Sequence, residues 1–376
     1  MTPTLKASML AALLLASAAC TARGSSSVGT GGGGSGEGGG STTGSGGAGG
    51  SGGSGPSAEQ ACADLAKASC DKRDACSMGF LITRAFGDLG ACVTRTTALC
   101  MASLAAPGTS QTPAKLEACV AAHPGFSCVD FFNGTPPADC VPSAGELPQG
   151  AACVTSAQCA STYCAVSQTE VCGSCQPLPV VGASCAVQTD CGRELGCARV
   201  VNAPSGVCAP WVSQGGACLN GEKPCKAGLS CVGEDPVGKT DGACQPAGAA
   251  AGTACDGSRK TMAGCDANLG LACVPAKQGS PIGTCQALQI VVAGATCGEI
   301  GGKPPTGFSV CKASALCQKA APADPTGTCV VAAADGSPCD IDPAKGPPCL
   351  APTKCVIKGG AGTAGTCTPS DAAACL

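Results

Sequence analysis

The sequence predicts small disulfide-rich modules in tandem, mostly irregular with short β-strands, preceded by a small disulfide-stapled α-helical domain. Three observations predict it. Cysteine supplies 35 of 376 residues, the density of a disulfide scaffold. The aromatics are six Phe, one Trp and one Tyr, and beyond Gly150 only Tyr163, Trp211 and Phe308 remain. That region cannot hold itself by aromatic burial, so covalent staples must replace a conventional core. Finally, the chain from Gly150 repeats glycine at fixed offsets from cysteine, the mark of one backbone used several times. Zinc is the competing reading of so many cysteines, but His123 is the one histidine and Cys172-Gly-Ser-Cys175 the one C-x-x-C. Zinc knuckles would show more of both. Formal net charge is −3 with the two signs scattered, which excludes the clustered basic face of a nucleic-acid binder.

The first segment, residues 1–20, reads as an export signal. Lys6 precedes an apolar run over 7–19, too short to span a bilayer and right for a signal sequence. Small residues then lead into Cys20. This resembles the lipobox of bacterial lipoproteins, in which the cysteine is acylated and becomes the mature N-terminus. Ser17 stands where that family prefers Leu, and an ordinary secretory signal leaving a secreted protein is the alternative. With Cys20 taken as the anchor, 34 of the 35 cysteines remain, an even number that can pair. Thr21 follows Cys20, and by the same resemblance the absence of Asp there implies the outer membrane. Residues 21–56 form a linker. Over 24–55 it holds 18 glycines in 32 positions, a composition expected to stay disordered, with a reach of roughly 30–36 Å from Thr21 to Ser57. That length suits a domain held clear of a lipid surface.

Residues 57–145 read as helical, with eight cysteines: Cys62, Cys70, Cys76, Cys92, Cys100, Cys119, Cys128 and Cys140. Ser57 and Gln60 make a capping-box pattern at a first helix. A second is expected over 88–105, ended by Pro107-Gly108, and a third from Pro113 with Thr112 as cap. A short helical turn is expected near 129–132. Two helices each carry C-x₇-C, which permits crosswise bridges Cys62–Cys100 and Cys70–Cys92 among many alternatives. Phe80, Phe86, Phe126, Phe131 and Phe132 are the candidate shared core. Asp71 to Asp74 reads as a charged turn or solvated helix face, His123 as exposed at a helix end, and Asn133-Gly-Thr135 as a turn rather than a glycosylation site.

Six four-cysteine repeats follow over 150–370. They are Cys153, Cys159, Cys164 and Cys175 in 150–178; Cys185, Cys191, Cys197 and Cys208 in 182–210; and Cys218, Cys225, Cys231 and Cys244 in 215–246. Then come Cys255, Cys265, Cys273 and Cys285 in 252–287; Cys297, Cys311, Cys317 and Cys329 in 294–331; and Cys339, Cys349, Cys355 and Cys367 in 336–369. Each opens with Gly-x-x-Cys, from Gly150 to Gly336, and closes with Gly-x-Cys, from Gly173 to Gly365. Glycine at such sites permits positive φ and close chain approach. The first internal gap varies from five residues to thirteen, which marks loop tips. Two disulfides per module, each about 2–4 kcal/mol, stand in for a core. Cys172 and Cys375 fall outside the rule; they pair together, stay free, or link to a partner.

The G-x-x-C…C…C…G-x-C pattern resembles the cysteine-rich repeats of the Dickkopf N-terminal type, which recur in bacterial lipoproteins behind Gly/Ser-rich linkers. The stretch Phe86-Gly-Asp-Leu-Gly-Ala-Cys92 is similar to the partner domain of such proteins. The resemblance implies architecture and carries no signalling activity over. The expected role is a surface-tethered, non-catalytic binding or structural lipoprotein. It would be anchored to the membrane by its N-terminal lipid and take a protein or polysaccharide ligand, with no catalytic residue, cofactor, metal or nucleic acid. A protease-inhibitor or toxin-like module is the alternative, with the long gap 298–310 as its loop. A redox or metal-handling role would centre on Cys172 and Cys175, or on Asp340-Ile-Asp342 for calcium.

Overall fold

The computed structural model describes residues 55–199, 205–357, 362–371 and 375. Cys20, the signal-type segment and nearly all of the linker lie outside the described residues. Five α-helices come first: α1 Ala58–Ser77, α2 Phe80–Ala85, α3 Leu89–Leu104, α4 Pro113–Ala122 and α5 Cys128–Asn133. Ser57, Asp88, Thr112 and Ser127 each accept a hydrogen bond from a backbone N–H of the following first turn, which supplies the orphan donors of a helix start. Disulfides Cys62–Cys100 and Cys70–Cys92 lace α1 to α3. Two turns separate the cysteines of each pair, so they share one helix face. Opposite order on the two helices makes the pair antiparallel. Cys76–Cys128 and Cys119–Cys140 fix α5 and the end of α4. The buried centre is Ala61, Cys62, Cys100 and Leu116. Of the two readings of the charged run Asp71 to Asp74, the helix face holds and the turn does not. The run lies inside α1, which continues to Ser77 because no Gly or Pro interrupts it; Met78 and Gly79, both at positive φ, end it.

Short strands in small sheets make up the rest. Each module contains a three-stranded antiparallel arrangement with the last strand in the middle. The first cysteine bonds the third and the second bonds the fourth, six times over. The buried cluster of each module is mainly its own cysteines. In module 5 the long first gap adds strand Gly307–Cys311, and the stretch before Gly294 adds strand Gln289–Val291 beside it, giving five.

The two repeated glycines answer different demands. The openers have φ between +78° and +87° with open space around them. Each sits third in a turn closed by an i to i+3 hydrogen bond, as from Ala151 N to Pro148 O at 3.1 Å, a position that needs positive φ. The opener's own N–H then donates to the fourth cysteine's carbonyl, at 2.7–2.8 Å in all six modules. The closers lie opposite the first cysteine in register, Gly173 facing Cys153 and Gly365 facing Cys339. A Cβ there would fall within 3.0 Å of the carbonyl that follows the third cysteine, Ala165 in module 1 and Val356 in module 6.

The modules are not strung out; they form a closed ring around the helices. Neighbours touch in order. Tyr163 of module 1 donates to Asp190 O of module 2 at 3.1 Å, and Trp211 and Pro224 lie against Gly196 at the next junction. Gly264 N donates to Ser230 Oγ at 3.3 Å between modules 3 and 4. Strand Leu271–Pro275 lies on strand Gly307–Cys311, and Ala351 N donates to Ser314 Oγ at 3.1 Å. Module 6 then meets module 1: Lys354 Nζ donates to Ser167 O at 3.0 Å and Ile357 N to Thr169 O at 3.3 Å. Cys172–Cys375 clasps the two ends.

The helical hub also reaches every module. Gln158 donates to Pro107 O at 2.9 Å, Thr135 to Arg193 O at 3.1 Å, and Ala227 N to Asn133 Oδ1 at 2.9 Å. Phe80 packs under Gly270 of module 4 rather than serving the hub alone. Ser314 Oγ donates to Ala85 O at 2.7 Å. Arg95 of α3 donates to Asp335, Thr353 and the Ala351 carbonyl of module 6 at 2.5–2.8 Å.

Candidate functional site

A cavity of about 630 Å³ opens between the hub and modules 1, 2 and 6. Its floor is helical. α1 presents Leu65, Ser69 and Arg73, and α3 presents Thr96, Leu99 and Ser103, spacings that set residues on one helix face. Leu65 and Arg73 each lie one turn beyond a cysteine that locks α1 to α3, so the staples position the floor. Tyr163, Arg193 and Lys354 come in from modules 1, 2 and 6.

Arg73 lies at the aromatic end. Its guanidinium carbon is 5.8 Å from the Phe86 ring centroid and 6.0 Å from that of Phe131, a cation–π arrangement. Burial pushes its pKa below the ordinary arginine value, which leaves it a cation at neutral pH. Burial, and then the negative charge of Asp190, push the Tyr163 phenol up. The Asp190 carboxylate accepts the backbone N–H groups of Ala186 and Val187 at 2.7 and 2.9 Å. Gln158 does the same work in module 1 for Val154 and Thr155; both residues stand just before a second cysteine.

The residues singled out in the sequence distribute differently. Cys172 and Cys175 are not a redox pair: Cys172 bonds Cys375 and Cys175 bonds Cys159. The module rule of one Gly-x-Cys closer per repeat already separated them. His123 is buried, 8 % exposed, rather than solvated. Its Nδ1 lies 2.9 Å from Cys119 O and its Nε2 3.3 Å from Ser69 Oγ, because the Cys119–Cys140 staple folds the chain back over the end of α4. Cys119, His123 and Cys140 have metal-like spacing, but disulfide sulfurs lack the thiolate that a metal takes. Asn133 is 1 % exposed and its Oδ1 serves module 3, which closes the sequon to modification. The 298–310 gap is largely a hairpin, strands Thr296–Ile300 and Gly307–Cys311, with 301–306 as its tip. Asp340 accepts from Asp342 N at 2.8 Å, and Asp342 pairs with Lys345 at 3.0 Å, a local turn. No motif announced the cavity; its signal was the face beside the C-x₇-C stripe.

Among the described residues no helix is long and apolar enough to cross a membrane, and the disulfides fit an oxidising, extracytoplasmic compartment. No family model, curated protein or solved structure matches the chain.

Proposed function

We propose that the chain is a non-catalytic binding protein displayed from a membrane by a lipid on Cys20. The disulfide ring is its rigid frame and the hub cavity its binding site. The observation that carries this reading is the cavity itself, assembled from α1, α3 and three separate modules. Binding sites favour such junctions, where pre-organised walls avoid the entropy of ordering loops. The frame suits exposure to proteases, since each module is closed by two staples of its own. The glycine-rich segment over 24–55 supports the tether by its reach. A protein or polysaccharide partner would meet the outer loop tips, and the inhibitor reading is weakened by the strand pairing of the 298–310 gap.

The test is protease shaving and amine labelling of intact cells that express the full chain, with mass analysis of the mature N-terminus. Labelling from outside and an acylated Cys20 are expected. A chain that is inaccessible until cells are opened, or that begins unacylated elsewhere, would overturn the tethered-display reading.

A further inference from the structure

The wall of the hub cavity contains the seam at which module 6 meets module 1. Val166 and Gln168 line the cavity on the module 1 side, and Pro352, Lys354 and Ser370 on the other. Hydrogen bonds cross the seam: Lys354 Nζ donates to Ser167 O at 3.0 Å and to Glu170 O at 3.2 Å, and Ile357 N to Thr169 O at 3.3 Å. The Cys172–Cys375 disulfide crosses it too. Among the described residues this is the one disulfide in which neither cysteine is buried. Each of the others keeps at least one buried cysteine; even Cys76–Cys128, with Cys128 exposed, has Cys76 at 5 %. The clasp also spans the longest separation, 203 positions against 52 for the next. We propose that Cys172–Cys375 is a reducible latch on the hub cavity, opened by a dithiol while the other staples stay closed. The latch goes beyond the binding-protein reading, and only the use made of an opened cavity rests on that reading.

Exchange needs a sulfur open to attack and a leaving sulfur that is stable as a thiolate. Apolar burial raises a thiol's pKa and makes it a poor leaving group. In the other staples, attack at a buried sulfur is blocked, and attack at an outward one expels a thiolate into apolar surroundings. The clasp meets neither obstacle. One thiolate of the dithiol attacks Cys375 Sγ, forms a mixed disulfide and releases Cys172 as a thiolate. The dithiol's second thiolate then attacks its own sulfur in that mixed disulfide, closes a cyclic disulfide and releases Cys375. Two electrons pass from the dithiol to the clasp, and its two protons end on Cys172 and Cys375. Inside a module a short loop returns a displaced cysteine to its partner, whereas the clasp's ends meet again only while the seam holds. The Lys354 seam bonds are exposed and individually weak. Module 6 stays on the hub through Arg95, which pairs with Asp335 at 2.8 Å, so the seam edge parts and the module remains.

The test is graded reduction of the fully oxidised full chain with dithiothreitol, trapped with iodoacetamide and read by peptide mapping. Cys172 and Cys375 should be alkylated together, at least about tenfold faster than any other pair. In the trapped protein, hydrogen exchange should rise at Ile357 and residues 167–170. Tyr163, the one tyrosine, lines the cavity, and its acetylation by N-acetylimidazole should rise several-fold. Cys172→Ser with Cys375→Ser should show the same rise with no reductant present; the trapped parent protein serves alone if that variant does not fold. Any module or hub disulfide opening as fast as the clasp would overturn the latch. So would selective opening that leaves seam exchange and Tyr163 acetylation unchanged. No readout uses a ligand of the cavity or the lipid on Cys20, so failure here is distinct from failure of the display reading, which is decided by shaving and N-terminal mass.

Discussion

Asp256 is 1 % exposed, and its carboxylate organises the first loop of module 4. Oδ1 accepts from the amide and hydroxyl of Ser258 at 2.8 and 2.6 Å; Oδ2 accepts from the amides of Lys260 and Thr261 and the Thr261 hydroxyl at 2.9–3.1 Å. Burial alone would raise its pKa, but the hydrogen bonds from Ser258 and Thr261 outweigh it and hold the carboxyl well below the usual range. A depressed folded value means that the stabilisation is present above the unfolded value of about 3.9 and is lost as pH falls below it. Asp256→Ala should cost about 2–3 kcal/mol at pH 7 and speed exchange of the Thr261 amide. In thermal unfolding the gap between variant and parent should narrow as pH drops below about 4. Arg95 offers a second test. It pairs with Asp335 at 2.8 Å, with both side chains under a fifth exposed, and Asp335 Oδ2 is buried without a partner. Arg95→Met strands that charge and should cost about 3 kcal/mol, seen as faster hydrogen exchange in module 6. Adding Asp335→Leu should recover part of the loss.

The strand and the turn explain why glycine recurs twice per module. Opening Gly252 has φ +86° and no neighbour within 4 Å of an added Cβ, whereas closing Gly283 would drive its Cβ into the Val274 carbonyl. Gly252→Ala therefore costs only the left-handed backbone, about 1–2 kcal/mol. Gly283→Ala must part the central strand from its neighbour, and should exceed that cost and reduce the yield of fully oxidised protein. Urea unfolding and thiol counting of the two variants give the ranking. The sequence displays both glycines equally, since spacing from cysteine does not reveal which strand lies opposite. Cysteine density and scarce aromatics were enough to indicate short strands and staples, because both follow from composition. Charge alone left Asp71 to Asp74 open between turn and helix face, since both tolerate it, and the structure takes the helix. His123 was misread because its burial depends on Cys140, seventeen positions away.

At the scale of the molecule, little was legible. The contacts that make the ring join residues such as Arg95 and Asp335, 240 positions apart, and such pairs leave no local periodicity. Cys172 and Cys375 were visible as surplus, but their meaning depends on a closed geometry. Their bond spans 203 positions, and chain entropy gives it at most about 5 kcal/mol, less because other staples already shorten the loop. Cys172→Ser with Cys375→Ser should leave every module folded and open the seam first. Hydrogen exchange should rise at Ile357 and at residues 167–170 before any module melts. A uniform loss of protection would instead show that the clasp holds the whole fold. In an open solenoid the end units expose a face and need special caps. Here each unit has a neighbour on both sides and its own contact with the hub, so the array has no ends to protect. Linear repeat proteins can gain or lose a unit by gene duplication or deletion at modest cost. A circle whose sixth member must meet its first cannot, and copy number becomes a fixed structural constant that recombination cannot vary one unit at a time.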